Sequence, residues 1–333
     1  MKRTVLWRGI MKKITILTLS ITAALLLASC GNDTATDTNN ETTKRENKSQ
    51  AALTITDMAG RDVSFDKKPE RIIALTNADM NIIYALGGTV VGRQTTDASG
   101  VPDGAKKATE VGNTHDLNLE KIASLGADAI VASSEQNLKD VPAMEGVGPK
   151  VVLTGANSID EIKKQTAVLG ELLGKETKAK ELEANIDQKV AEVKKKQQGK
   201  KVRSLLVLGA PGSNYAALPS SLSGNVLEIA GGENVAKDFK GVENFPQYAS
   251  MNVEKIVAAD PEVIFLMIHG GDEKETEAAF KKEMKQNEAW NSTSAVKNDH
   301  IVVLPAELFG TNPGIKIDQA LDYMTDEINK VDN

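Results

Sequence analysis

Iron and acid–base chemistry in proteins runs chiefly through histidine, cysteine and methionine, and this chain of 333 residues has three histidines, one cysteine and nine methionines. His269 ends the apolar run Val263-Ile264-Phe265-Leu266-Met267-Ile268 and is followed by Gly270-Gly271. Ligands of open parallel sheets bind outside the carboxyl ends of strands, which is where that spacing puts the imidazole. His115 lies in the polar stretch Asn113-Thr114-His115-Asp116, and His300 follows Lys297-Asn298-Asp299, where surface loops are expected. Met80 stands just past the carboxyl end of a second apolar run, Arg71 to Leu75. A thioether and an imidazole facing each other across a cleft suit the two axial positions of a haem iron. Methionine equally often fills gaps between helix and sheet, so core packing is an open alternative for Met80. Met267 is a poorer partner for His269, because residues two apart on a strand point to the same face.

Enzymatic constellations are missing. Gly209-Ala210-Pro211-Gly212-Ser213 follows a strand but lacks the Gly-Lys-Ser/Thr ending of a phosphate loop. Neither a G-x-S-x-G elbow nor an H-E-x-x-H pair occurs. The chain is read as a binding protein, not an enzyme. A formal charge of −6 gives no basic footprint for nucleic acid, and one cysteine allows no disulfide framework.

That cysteine closes an N-terminal signal. Lys2, Arg3, Arg8, Lys12 and Lys13 precede the uncharged run Ile14 to Leu27, which is short for a membrane span and has the form of a secretory h-region. Met11-Lys12-Lys13 would alone complete an n-region, so Met11 is an alternative start. Leu27-Ala28-Ser29-Cys30 ends the segment, with Cys30 where a lipidated cysteine would stand. Beyond residue 29 the chain carries 35 basic against 46 acidic side chains. Gly31 to Gln50 contains a single apolar side chain, Ala35, and is read as a tether unable to bury enough surface to order itself.

From Leu53 onward short apolar runs alternate with helical stretches, the pattern of α/β lobes with parallel sheets. Ser158-Ile159-Asp160-Glu161 has capping-box spacing. Lys175 to Gln198 carries one apolar stripe, Ala179, Leu182, Ile186, Val190 and Val193, on a helix of roughly 36 Å, long enough to join two lobes. A second strand–helix series begins at Val202. Asn118-Leu119-Glu120-Lys121-Ile122 recurs as Asn252-Val253-Glu254-Lys255-Ile256, each copy followed by an apolar strand, as in a duplicated lobe. The expected organisation is signal 1–29, lipidated cysteine and tether 30–51, first lobe 52–173, connecting helix 174–200 and second lobe 201–333, with a ligand cleft between the lobes.

Together these features resemble the substrate-binding lipoproteins of iron-siderophore, cobalamin and haem ABC importers, a helical-backbone type of periplasmic binding protein. Thr56-Asp57-Met58-Ala59-Gly60-Arg61-Asp62-Val63 leading to Pro69-Glu70-Arg71-Ile72-Ile73 is similar to their N-terminal opening, and Ile229-Ala230-Gly231-Gly232-Glu233-Asn234-Val235 to their second-lobe signature. Ile268-His269-Gly270, Met284-Lys285-Gln286-Asn287-Glu288-Ala289-Trp290 and Ala295 to His300 bring the chain nearest to the IsdE-type haem-binding group. The resemblance implies haem as transported ligand, with Met80 and His269 as axial ligands and no covalent chemistry. A ferric siderophore or cobalamin is the alternative cargo. Tyr84, Tyr215, Phe245, Tyr248 and Phe309 are candidate walls, and backbone amides of Gly209–Ser213 candidate propionate holders. The resemblance further implies Glu120 and Glu254 docking on a permease dimer with its ATPase, Cys30 as the lipid attachment at the outer face of the cell membrane, and a monomer.

Overall fold

Alternate residues of each apolar run go to opposite sides of a sheet, and here both sides are covered. The computed structural model describes residues 52–96, 101–113, 116–210, 213–268 and 273–331. In the first lobe β1 (Ile72–Ala74), β2 (Gly92–Arg93), β3 (Thr109–Glu110), β4 (Ala129–Ser133) and β5 (Lys150–Thr154) pair in the order β3-β2-β1-β4-β5. Every pair is parallel. Ile72, Ala74, Val131 and Val152 face one core, while Ile73, Leu75, Ile130, Val151 and Leu153 face another. Period-two packing on both faces explains why these runs are uninterruptedly apolar.

Thr76 caps α1 (Asn77–Ala85), its hydroxyl accepting from the Asp79 amide. Short helices α2 (Leu119–Ser124) and, in the second lobe, α6 (Val253–Ala259) begin alike: Asn118 and Asn252 accept from the amides of Lys121 and Lys255. The repeat is therefore a repeated N-cap, with Ile122 and Ile256 fully buried behind it.

Two helices, not the long one alone, pass between the lobes. In α3 (Ile159–Leu173), Ser158 accepts from the Glu161 amide, and the Glu161 carboxylate reaches back to the Asn157 amide. Gly174 ends α3 at φ +59, a left-handed turn that a side chain would strain, and the chain reverses into α4 (Glu176–Lys196). Ile159 and Ile162 of α3 enter the second-lobe core and Leu169 and Leu172 the first. On α4, Ala179 packs in the first lobe and Ile186 and Val193 in the second. The expected helical connection thus exists as a packed antiparallel pair.

The second lobe holds β6 (Val202–Ala210), β7 (Ser213–Ala217), α5 (Leu222–Ile229), β8 (Gly232–Asn234), β9 (Gly241–Val242), β10 (Phe245–Ser250), β11 (Val263–Ile268) and β12 (Ile301–Val303). Strand order is β9-β10-β7-β6-β11-β12, with β8 also on β6. Pairs β6–β8, β6–β11 and β11–β12 are parallel, as expected, whereas β6–β7, β7–β10 and β9–β10 are antiparallel. The sheet is mixed because only two residues separate β6 from β7, too few for a parallel crossover. Gly209 and Ala210, expected in a loop, belong to β6, and Ser213 to β7; Pro211 and Gly212 lie outside the described residues.

The last helix, α7 (Ile317–Val331), lays Ile317, Leu321, Met324 and Ile328 into the second-lobe core. Just before it, Gly314 comes against α1 of the first lobe: a Cβ there would stand 2.9 Å from the Ala78 carbonyl oxygen. The chain thereby crosses the lobe boundary again.

Candidate functional site

Strand order β3-β2-β1-β4-β5 reverses direction between β1 and β4, and the carboxyl ends of strands at such a switch point are where open α/β sheets bind ligands. A cavity of about 540 Å³ is lined by Glu135, Gln136, Leu138 and Lys139 of the segment after β4. That is within the usual size range of small-molecule sites. Glu135 is held from both lobes. Its Oε1 accepts from Asn157 Nδ2 at 2.5 Å and from Gln247 Nε2 of β10 at 3.2 Å. Two large apolar side chains near this edge are unusually exposed, Leu138 at 51% and Phe245 at 61%.

On the second-lobe side, Ala217 of β7 pairs with Tyr248 of β10 and Tyr215 with Ser250. Directly paired residues share a face, so Tyr215 and Tyr248 are diagonal neighbours on one side of the sheet. Burial, and secondarily the Glu135 charge, push the Tyr248 phenol above its ordinary pKa. Tyr248 therefore stays protonated at neutral pH, with its ring packed against the second-lobe core.

The other expected wall residues are dispersed. Phe309 is 6% exposed in the second-lobe core, its ring 6.1 Å from that of Tyr323. Tyr84 sits about 12 Å along α1 from Thr76, towards the opposite end of the strands, with its ring against Gly104. Both pack within their lobes and line no described cavity. Met80 is 0% exposed, in the first-lobe core with Ile72, Ala74, Ile83 and Val131. Its α1 site packs the thioether among these side chains, an arrangement that favours core packing over the axial role expected of it. Met267 is likewise buried, at 1%. His269 and Cys30 lie outside the described residues, as does His115.

A second hollow of about 430 Å³ is formed by Thr95, Gly112, Asp116, Leu117 and the start of α2, including Glu120. Strands Gly112–Asn113 and Asp116–Leu117 pair as a hairpin, and the Thr95 amide donates to the Gly112 carbonyl, which ties its base to the carboxyl end of β2. Glu120 and Glu254 occupy equivalent, exposed positions in the first turns of α2 and α6.

All four described arginines are engaged by acceptors within their own lobes. Arg61 pairs with Asp57 and also donates to the Val151 carbonyl, and Arg71 donates to the carbonyls of Leu125 and Gly126. Arg93 pairs with Glu110, and Arg203 with Asp260 and Glu262. No cluster of three or more histidine, cysteine or acidic side chains able to hold a bare metal ion exists among the described residues.

The sequence reading missed three polar groups. Glu135 and Gln247 bridge the lobes, and Asp79 is a buried carboxyl in the first turn of α1. The strand-end rule that singled out His269 would, applied to Ala129–Ser133, have singled out Glu135. Nothing local marks Gln247.

Comparison with known proteins agrees with this architecture. The high-affinity heme uptake system protein IsdE of Staphylococcus aureus is 29% identical over 258 residues, covering 77% of this chain and 86% of that protein. The crystal structure of S. aureus IsdE complexed with heme superposes with a TM-score of 0.69 at 28% identity, covering 78% of this chain and 98% of IsdE. An ABC transporter substrate-binding protein from Listeria monocytogenes EGD-e gives the same TM-score at 27% identity, again covering 78% and 98%. The periplasmic binding protein family model matches residues 72–308. Two α/β lobes on a helical spine, a crevice at their strand ends and no catalytic constellation have the same explanation: this chain belongs to the periplasmic binding protein family, whose members bind substrates and do not transform them.

Proposed function

We propose that the protein is a membrane-anchored extracytoplasmic haem receptor that captures haem between its lobes and delivers it to an ABC permease. The reading is carried by its likeness to S. aureus IsdE over 77% of the chain. The committed arginines weigh against the anionic alternative. A ferric catecholate brings several negative charges that guanidinium groups would have to balance, and none of the four is free. Haem brings two propionates and a large apolar face, which Tyr215, Tyr248, Phe245 and Leu138 suit better.

His269, from the end of β11, is proposed as one iron ligand. With Met80 buried, the first lobe's ligand is best sought at His115. Its neighbours Asn113 and Asp116 end the two paired strands tied to β2, at the same end of the sheet as the crevice. Cys30 would carry the lipid, with residues 31–51 as tether. The described part of the chain has no helix long and apolar enough to cross a membrane. Glu120 and Glu254, on matched caps in the two lobes, are proposed to meet arginines of the permease, one per half. The receptor is expected to act as a monomer.

Titration of the ligand-free protein with haemin tests this. A saturable one-to-one Soret change is expected, weakened or shifted by His269→Ala. Met80→Leu should leave the spectrum as wild type and His115→Ala should alter it. A spectrum changed by Met80→Leu alone would restore the methionine as ligand. Absence of a specific Soret change, with Trp290 fluorescence quenched by a ferric siderophore, would replace haem with the alternative cargo.

A further inference from the structure

The lobes are joined by polar side chains in two separate places. On the helical side, Asn225 accepts from the Ile159 amide, Asn312 donates to Gln165, and Lys189 pairs with Asp322, each at 3.0 Å or less. These contacts reinforce α3, α4 and α7, which already share apolar cores. At the strand-end side Ala156, just past β5, packs against the second-lobe core together with Tyr248 of β10. There the Glu135 carboxylate lies between Asn157 of its own lobe and Gln247 of β10. Both amides donate to the same oxygen, Oε1. The first bond orients the carboxylate and the second spends that orientation on the opposite lobe. Asn157 directly precedes Ser158, the cap of α3, so this contact ties β10 to the first lobe beside the point where the spine begins.

Strand β10 carries Phe245, exposed, and Tyr248, whose phenol the Glu135 charge also reaches. Leu138, three residues from Glu135, is the exposed apolar side chain of the first lobe. Glu135 and Gln247 therefore belong to the same two segments as these exposed apolar side chains.

We propose that Glu135 is a positioning residue: through Gln247 it fixes the separation of the lobes at the open edge of the crevice and holds the β10 wall against the first lobe. The role rests on the crevice being the ligand site, yet it is measurable with no ligand present. Glu135→Ala removes the acceptor and leaves two amides facing each other. Glu135→Gln keeps an acceptor oxygen, with a weaker, uncharged bond. Gln247→Glu sets two carboxylates together, and the double exchange Glu135→Gln with Gln247→Glu rebuilds a donor–acceptor pair in reverse.

The test measures pulsed dipolar spin-label distances in the full chain, with Cys30→Ser removing the native thiol and labels at exposed Ala143→Cys and Lys240→Cys, one in each lobe. The wild type should give one narrow distribution. Glu135→Ala should raise the open fraction about fivefold, equivalent to about 1 kcal/mol at 1.4 kcal/mol per factor of ten. Gln247→Glu should open further, Glu135→Gln should stay close to wild type, and the double exchange should restore the narrow distribution. Thermal midpoints recorded alongside separate the role from general folding, since a merely structural residue would lower the midpoint and leave the distribution unmoved. An unchanged distribution in Glu135→Ala, or failure of the double exchange to restore it, overturns the proposal. Haemin titration of the same labelled protein bears on the ligand alone, so a widened distribution with no haemin binding would sink the haem reading and leave the strut standing.

Discussion

Asp79 is the sharpest test of the energetics, because the side chain is fully buried with no cation beside it. Oδ1 accepts from Thr154 Oγ1 at 2.6 Å and Gln165 Nε2 at 2.8 Å, and Oδ2 accepts from Thr76 Oγ1 at 2.5 Å. Burial raises its pKa above 3.8, and those hydrogen bonds only partly oppose the shift. A carboxyl whose folded pKa exceeds its unfolded value contributes stability fully below the unfolded pKa, and that contribution is lost as pH rises through the folded pKa. Asp79→Asn keeps the shape and the Oδ1 acceptor for both donors, and its amide can turn a hydrogen towards Thr76 Oγ1. It cannot ionise, so it escapes the loss. Relative to wild type it should cost no more than about 1 kcal/mol at about pH 4 and gain steadily as pH rises, levelling once Asp79 would have ionised. Asp79→Ala leaves two buried donors, Thr154 and Gln165, and the half-buried Thr76 without their acceptor and should cost about 2–5 kcal/mol, a drop in Tm of roughly 4–10 °C for a body of this size. Denaturant unfolding of the three proteins at several pH values from about 4 to 8 measures both effects. A constant gap between wild type and Asp79→Asn across that range, or a loss as large as that of Asp79→Ala, would refute the raised pKa.

Further outcomes follow from individual contacts. Phe309→Ala should cost about 3–5 kcal/mol in denaturant unfolding and leave the haemin spectrum of the surviving folded protein as wild type, since the ring fills the second-lobe core. Asn118→Ala and Asn252→Ala each delete a cap on an Asn-x-Glu helix and should each cost about 1 kcal/mol, additively, in the same measurement. The double variant Glu120→Ala with Glu254→Ala should bind haemin as wild type yet lose haem-dependent stimulation of the permease's ATPase. Stimulation at the wild-type level would remove both glutamates from docking. Arg93→Met leaves Glu110, half exposed, free to be hydrated, and should cost about 1–3 kcal/mol while leaving ligand binding unaltered.

Amino-acid order alone determined most of the elements. Apolar runs such as Val263–Ile268 could only be strands covered on both faces, because every residue of such a run must be buried. Ser158, Thr76 and the two repeated asparagines marked helix starts through hydrogen bonds made within three residues, and Gly174 marked a stop through its own φ. What the order could not decide were contacts between residues far apart in sequence. Met80 has the same neighbours in the chain whether its thioether meets an iron or a core, and only the packing of α1 on β1 and β4 buries it. Phe309 and Tyr84 were apolar enough for a wall, but their elements turn them inward. The antiparallel half of the second sheet follows from a two-residue connection whose consequence appears only once β6 and β7 pair. Glu135 and Gln247, 112 residues apart, are ordinary polar residues until the fold brings them within a hydrogen bond. Local patterning sets which face of an element is apolar; whether a polar group at its end meets water, a partner lobe or a ligand depends on how the elements pack.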